Sequence, residues 1–219
     1  MINKKLNLLF GLILCLCLSL FVSCGDDDNN DPVIDSEWKL FNDSLFKAHA
    51  DSLIKNGGEY TKLECLTGNG DIYYKRSSDI EPATPEMDYS AIGPKVSADG
   101  NPQYTDSVVV RYTGWYYTKN TEGKLKRITF DGTEGEFNKA SAKFSVSGVA
   151  SGFATMLQYM DIKDLNQVQV VIPYNLAYGE SGYQAIPGYT TLYFNILLEK
   201  IIPLNPKEFP DVDLGGLDK

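Results

Sequence analysis

The chain has 219 residues and a formal net charge of −9 at pH 7. An acidic protein is a poor match for nucleic acids or anionic membrane surfaces, because both partners attract basic patches. The sequence has one histidine, His49, and four cysteines, three of which lie within the first 24 residues. A Cys/His metal cluster is therefore excluded, and we expect no metal, no cofactor and no nucleic-acid partner.

The N-terminus has the pattern of a secretory leader. Two lysines precede the apolar run Leu6–Val22, which is too short for a comfortable membrane span and ends at Ser23-Cys24. The stretch from Leu20 to Cys24 resembles a bacterial lipobox, in which the cysteine is diacylated. We therefore predict a lipoprotein signal peptide over residues 1–23 and a lipid anchor at Cys24. The alternative is an ordinary signal peptide that leaves Cys24 as a free thiol.

An acidic stretch follows the predicted cleavage point. Residues 24–36 include a run of aspartates and asparagines with no apolar side chain to bury, so we predict a flexible tether. This stretch also resembles the surface-export sequence of Bacteroidetes lipoproteins, although a plain solvated spacer has the same composition. The expected location is the cell envelope, with lipid attachment to the bacterial membrane, foremost the outer membrane, and surface exposure left open.

A helix and a hairpin are predicted next. Apolar residues at roughly helical spacing indicate one amphipathic helix over residues 37–57, with His49 as a partly buried residue on or near its apolar face. That face consists of Trp38, Phe41, Leu45, Ala48 and Leu53. The β-rich runs Tyr60–Leu66 and Ile72–Arg76 flank a turn-type cluster and predict a hairpin. Residues 77–105 favour a long loop.

The remaining pattern predicts an α+β roll within a domain over residues 58–202. Five strands are indicated, at 108–117, 125–130, 143–146, 168–172 and 191–201. One short helix is predicted at Ser151–Met160, with Ser151 as its N-cap. An antiparallel β-sheet wrapped around one short helix is the expected architecture, with the N-terminal helix in addition. Residues 203–219 are rich in proline and glycine and predict a C-terminal tail.

The residues that stand out chemically are aromatic. The sequence lacks a phosphate-binding Gly-rich loop and a hydrolytic triad pattern, since His49 lies outside the strand-rich region. Five aromatic residues occupy positions that converge on one face of the predicted roll: Tyr112, Phe130, Phe153, Tyr178 and Phe194. Core packing is the ordinary explanation of such a set, and a ligand pocket is the alternative.

Several motifs then occur in a characteristic order between about Asp106 and Ile201. In chain order they are Val108 to Gly114, Phe130-Asp131, Gly152-Phe153, Val171 to Pro173, Leu176 to Gly179, Ile186-Pro187 and Thr191 to Phe194. This series resembles the FKBP-type peptidyl-prolyl cis–trans isomerases. The resemblance implies isomerase activity on X-Pro bonds of exported or surface polypeptides, in a pocket that needs no cofactor.

The resemblance also implies roles for individual residues. The proline pocket would have the walls Tyr112, Phe130, Val149, Ile186 and Phe194, with Phe153 as its floor. Asp131 would be the pocket carboxylate. The Tyr178 hydroxyl and the Ala150 N–H would bond to substrate carbonyls.

The chain departs from the family pattern at the pocket. Phe153 replaces the usual Trp, Ala142 lies where a wall Phe is common, and Ala150 replaces Ile. The segment from Trp115 to Thr129 is longer than usual and has its turn near Asn120. The alternative function is therefore a non-catalytic FKBP-like binding or chaperone lipoprotein, and a structural lipoprotein with an empty cleft is a third reading.

Overall fold

A computed structural model describes residues 36–56, 58–80, 100–133 and 141–204. The predicted signal peptide, the tether up to residue 35, Cys24 and the tail from residue 205 lie outside the described residues, as does most of the predicted loop at 77–105.

Two helices and seven strands form the described part of the chain. The helices are α1 (Ser36–Asn56) and α2 (Ser151–Tyr159). The strands are β1 (Thr61–Glu64), β2 (Asp71–Arg76), β3 (Ser107–Lys119), β4 (Leu125–Gly132), β5 (Ala142–Ser145), β6 (Gln167–Ile172) and β7 (Leu192–Ile202). A short 3₁₀ turn at Val146–Gly148 precedes α2, and another at Tyr174–Leu176 follows β6.

All seven strands belong to one antiparallel sheet, in the order β1-β2-β6-β7-β3-β4. Strand β5 pairs with the first half of β3, and β4 pairs with its second half. A bulge between Gly114 and Trp115 shifts the register of the β3–β4 pairing. The predicted α+β roll with one short helix and an N-terminal helix is confirmed.

The main core lies between α2 and one face of the sheet. Strand residues alternate between the two faces, so Leu192 and Phe194 of β7 point to the α2 side and Tyr193 points to the other. The α2 stripe at Phe153, Met156 and Leu157 is buried in this core, as its spacing predicts. Burial of this apolar surface is the dominant stabilising term of the domain.

The opposite face of the sheet carries α1. Phe46 packs against Tyr73 with ring centroids 5.0 Å apart, and His49 lies between Tyr60 and Tyr193 at 4.7 and 5.6 Å. The expected apolar face is only partly correct, because Ala48 is exposed whereas the polar Asn42 is fully buried. Hydrogen bonds, which hydropathy does not report, fix this side of the helix.

The expected N-cap of α2 is wrong. Ala150 occupies the cap position and makes no side-chain capping bond, whereas the Ser151 hydroxyl donates to the carbonyl of Leu176 at 3.3 Å. This bond ties the start of α2 to the turn after β6. Among the helices in the described ranges, none is long and apolar enough to cross a membrane.

The environment of His49 predicts a loss of stability in acid. Burial lowers the pKa of His49, and the charge of Lys75 lowers it further. The unfolded chain, with a histidine pKa of about 6.5, therefore binds the proton first as the pH falls. The stability that neutral His49 contributes is complete above that value and is lost as the pH falls through the lower folded-state pKa.

Replacing His49 with Gln removes this titration. Thermal unfolding followed by circular dichroism between about pH 7.5 and pH 5 should show a smaller fall in Tm for His49→Gln than for the wild type. Identical pH dependence in the two proteins would contradict the assignment.

Candidate functional site

A cavity of about 370 Å³ opens between α2 and the sheet. Its lining comes from five strands, the turn before α2, the start of α2 and the loop after β6. The residues that line it are Tyr112, Phe130, Asp131, Phe144, Gly148, Val149, Ala150, Phe153, Ile172, Ala177, Tyr178, Tyr183, Leu192 and Phe194. Most of this surface is apolar or aromatic, which is typical of a ligand pocket with few polar groups.

Phe153 lies at the centre of the aromatic lining. Its ring makes edge-to-face contacts with Phe194, Phe144 and Tyr112, at centroid distances of 5.0, 6.2 and 6.5 Å. Phe194 in turn contacts Phe130 at 5.7 Å, again edge to face. Each ring fixes its neighbour in a favourable geometry, so the walls are held in place before a ligand arrives.

Two glycines allow the layers that carry these rings to approach. A Cβ atom at Gly152 would lie 2.5 Å from Cγ2 of Ile172, so only glycine lets the first turn of α2 pack this closely on β6. A Cβ atom at Gly114 would lie 2.7 Å from the Phe194 ring and 2.8 Å from the Phe130 ring. The pocket therefore depends on two glycines that do not themselves line it.

Polar groups occupy one side of the pocket. The Tyr112 hydroxyl donates a hydrogen bond to the Asp131 carboxylate, which also accepts the N–H of Gly132 at 2.8 Å. The backbone of Tyr112 is held by the buried Thr133, whose hydroxyl accepts its N–H at 2.9 Å. Burial, and then the bond to Asp131, raises the pKa of Tyr112 far above its ordinary value. Tyr112 therefore stays protonated and keeps Asp131 in a fixed orientation.

Tyr178 and Tyr183 form the rim. Their rings stack at 5.0 Å with an interplanar angle of 22°. Tyr178 is 36% exposed and Tyr183 54% exposed. Burial and then the nearby charge of Asp131 raise the pKa of Tyr178, so its hydroxyl remains a hydrogen-bond donor at neutral pH. A protonated phenol at the edge of an apolar cavity is suited to bind a carbonyl oxygen.

The backbone before α2 forms the other side of the rim. Val149 and Ala150 are extended, with φ/ψ of −108°/168° and −54°/145°. The carbonyl of Ala150 accepts the first bond of α2 from Ala154 at 2.8 Å. An extended segment beside a helix start leaves its peptide N–H groups outside the helical ladder, which makes them available to a ligand.

The structure brings together eight of the nine residues expected at the pocket: Tyr112, Phe130, Asp131, Val149, Ala150, Phe153, Tyr178 and Phe194. Ile186 is the exception, because it is buried in the main core and bridges to Tyr183 through paired backbone bonds of 2.9 and 3.0 Å. It is not among the lining residues. The neighbouring Tyr183 projects to the rim instead.

Two of the aromatic lining residues, Phe144 and Tyr183, were not predicted from the sequence. Ala142, expected where a wall aromatic is common, does not line the cavity, but Phe144 two residues later on the same strand does. The alternation of β5 contains that information, since positions 142 and 144 share a face. Tyr183 lies in a glycine-rich loop, where hydrophobic periodicity gives no information.

The chemistry available in the pocket is non-covalent. The described residues contain no group of three or more His, Cys, Asp or Glu side chains that could hold a metal ion. Asp131 is the one carboxylate among the lining residues and is already bonded to Tyr112. The arrangement offers an apolar volume with hydrogen-bond donors on its edge.

The close approach at Gly114 gives a sharp test of the wall packing. Gly114→Ala should lower the free energy of unfolding by about 1–3 kcal/mol, because the new methyl group pushes against two rings in a packed core. Gly148→Ala is the matched control, since its Cβ would meet nothing closer than 3.6 Å. Urea unfolding and near-ultraviolet circular dichroism measure the effect. Equal stability of both variants would contradict the proposed packing.

Comparison with known proteins agrees with this geometry. Residues 98–199 match the family of FKBP-type peptidyl-prolyl cis–trans isomerases. The FKBP-type peptidyl-prolyl cis-trans isomerase FkpA of Escherichia coli is 35% identical over 118 residues, which make up 53% of this chain and 39% of that protein. The match therefore spans about two fifths of the relative's length.

A solved structure shares the fold of this chain. The crystal structure of FkpA from Escherichia coli superimposes with a TM-score of 0.51 at 23% identity, covering 78% of this chain and 63% of that one. Every residue that lines the pocket lies within the segment that matches the family. Residues 98–199 of this chain therefore form a domain of the FKBP-type peptidyl-prolyl cis–trans isomerase family.

Proposed function

We propose that this protein is a peptidyl-prolyl cis–trans isomerase that acts on X-Pro bonds of polypeptides. The observation that carries the proposal is the cavity in which Tyr112, Phe130, Phe153 and Phe194 surround an apolar volume beside the Tyr178 hydroxyl. A pyrrolidine ring is compact and apolar and suits such a volume. The bond to be rotated would then lie at the rim, next to the donors.

Removal of water weakens the bond that must rotate. The peptide C–N bond resists rotation by about 18–20 kcal/mol because a charge-separated resonance form gives it double-bond character. Water stabilises that charge separation, and an aromatic cavity does not. Transfer of the X-Pro amide from water into the pocket therefore favours the form with a single C–N bond, in which rotation is easier.

Hydrogen-bond donors at the rim would stabilise the twisted amide. Tyr178 would hold one substrate carbonyl, and the Ala150 N–H would hold another. Catalysis follows when these contacts are better for the twisted amide than for either planar form. Burial and then the nearby charge of Asp131 raise the pKa of Tyr178, so the phenol is fully protonated at neutral pH and can donate this bond.

The energy that this mechanism must supply is modest. A reduction of the barrier by roughly 7 kcal/mol gives an acceleration of about 10⁵-fold. Uncatalysed isomerisation takes about 10–100 s at 25 °C, which is slow compared with chain collapse and with many folding steps. Proline-containing polypeptides that fold after export are therefore the proposed substrates.

Removal of the Tyr178 hydroxyl tests the role of this residue. Tyr178→Phe should lower kcat/KM on X-Pro peptides by roughly 2-fold to 10-fold, because one hydrogen bond contributes about 0.5–1.5 kcal/mol. Tyr159→Phe is the matched control, since Tyr159 is 45% exposed at the end of α2 and does not line the pocket. A protease-coupled isomerase assay measures both variants.

The same assay decides the proposal as a whole. A folded wild-type protein that gives no acceleration at micromolar concentration would contradict isomerase function. If that protein still bound proline-containing chains, a non-catalytic binding or chaperone role would replace the proposal.

We further propose that the protein is exported and attached to the membrane of the cell envelope by acylation of Cys24. The support is the apolar leader that ends at Ser23-Cys24 and the acidic stretch that follows. One acyl chain contributes about 0.8 kcal/mol per buried CH₂, and stable anchoring takes more than one chain. Such an anchor would keep the isomerase near polypeptides that emerge from the export machinery.

Substitution of the acylated residue tests the anchor. Cys24→Ser should abolish incorporation of labelled fatty acid and move the protein from the membrane fraction to the soluble fraction. Labelling and fractionation of both proteins provide the measurement. Continued labelling of the variant would contradict acylation at Cys24, and unchanged membrane association would contradict its role as the anchor.

A further inference from the structure

The loop that follows β6, residues 177–190, is called the pocket loop here. The first turns of α1 contact its C-terminal part. The indole N–H of Trp38 donates to the carbonyl of Gly188 at 2.9 Å and reaches the hydroxyl of Thr190 at 3.3 Å. The same Thr190 hydroxyl donates to the carbonyl of Pro187 at 2.6 Å. One side chain of the N-terminal helix therefore meets the returning half of the pocket loop at two points.

Asn42, one turn after Trp38, extends this contact. It is fully buried, and its side-chain oxygen accepts the N–H of Thr191 at 2.9 Å. The hydroxyl of Thr191 donates to the Asn42 carbonyl at 3.1 Å, and the Asn42 amide donates to the carbonyl of Trp38 at 3.0 Å. These bonds supply partners for buried polar groups that would otherwise be costly.

Lys39 lies next to both ends of the loop. Its ammonium group is 5.4 Å from the ring centroid of Tyr174, which precedes the loop, and 5.8 Å from that of Tyr189, near its end. The two rings are 5.0 Å apart. A cation is attracted to both rings, so Lys39 stabilises the packing of Tyr174 against Tyr189.

The pocket loop needs external support because of its backbone conformation. Gln184 and Tyr189 have φ angles of +52° and +58°, which non-glycine residues adopt only at some cost. Conformations of this kind persist where the surroundings fix them. The helix α1 supplies such surroundings on one side, and the bond from the Tyr189 N–H to the Gly179 carbonyl at 3.0 Å closes the loop on itself.

Trp38 also contacts the pocket wall through a second aromatic residue. The Trp38 ring meets Tyr116 edge to face at 6.1 Å, and Tyr116 stacks on Phe130 at 6.4 Å. Phe130 lines the cavity. Trp38 thus does not line the cavity, yet its neighbours shape two of the pocket's sides.

We propose that Trp38 is a positioning residue for the pocket, and that α1 belongs to the ligand-binding unit. Trp38 holds the loop that carries Tyr178 and Tyr183 in the arrangement that binds the X-Pro segment. This inference rests on the proposed function for its catalytic consequence. Apparent affinity falls in proportion to the fraction of molecules whose loop is competent to bind, so a loosened loop raises KM while kcat is retained.

Trp38→Phe in the full chain removes the indole N–H and keeps an aromatic ring against Tyr116. Phe46→Leu is the matched control, because Phe46 lies two turns later on α1 and packs on Tyr73, away from the loop. Two readouts are needed. One is backbone hydrogen exchange at Ile186 and Tyr189 without substrate, and the other is KM and kcat on X-Pro peptides.

For Trp38→Phe we expect the amides of Ile186 and Tyr189 to lose nearly all of their protection against exchange, with only about one fifth of the molecules keeping the loop in the competent arrangement and with the amides of α2 unchanged. KM should then rise about fivefold, the factor by which the competent fraction falls, with kcat within about twofold of wild type. Phe46→Leu should leave both the loop exchange and KM close to their wild-type values.

Unchanged loop exchange in Trp38→Phe would overturn the proposal. Equal loosening of the loop by both variants, or loss of nearly all loop protection with an unaltered KM, would overturn it as well. An inactive wild-type protein would instead contradict the proposed function, and the exchange measurement would still decide whether Trp38 holds the loop.

Discussion

The close contact between α2 and the aromatic side of the sheet is the constraint on which the pocket depends. Gly152 lets the helix approach β6, and this places Phe153 against Phe194. Gly114 leaves room for the rings of Phe194 and Phe130 above β3. The chain thus builds a rigid aromatic wall around a volume that its own side chains leave open, which is unusual because protein interiors are otherwise close-packed.

Both faces of the sheet are covered by other elements. One face carries the pocket and α2, whereas the other carries α1 and the ring cluster around Tyr193. Because neighbouring residues of β7 point to opposite faces, Tyr193 and Phe194 belong to different layers although they are adjacent in sequence. A substitution in one layer can therefore shift the other, and Trp38 links the helix on the far face to the pocket through the pocket loop and Tyr116.

Sequence analysis could predict the fold because the evidence for it is periodic and ordered. Alternation of apolar residues indicated the strands, the stripe around Phe153 indicated α2, and the motif series indicated the family of the domain. The family resemblance also brought Tyr112, Asp131 and Tyr178 together, although these residues lie far apart along the chain. Hydropathy alone would not have distinguished their rings from ordinary core residues.

The errors came from places where position depends on hydrogen bonds or loop shape. The buried face of α1 includes Asn42, a polar residue that hydropathy assigns to the surface, because its partners lie about 150 residues away. Ser151 bonds to Leu176 instead of capping its own helix. The loop after β6 turns Ile186 into the core and Tyr183 to the rim, and no local pattern specifies which of the two residues faces the cavity.

The central claim is that a proline ring occupies this aromatic cavity during isomerisation. Intermolecular nuclear Overhauser effects between an X-Pro peptide and the protein measure it directly. We expect contacts from the pyrrolidine protons to the rings of Phe153, Phe194 and Tyr112. A peptide that binds or isomerises with its proline in contact with other residues, and without contacts to these rings, would contradict this claim.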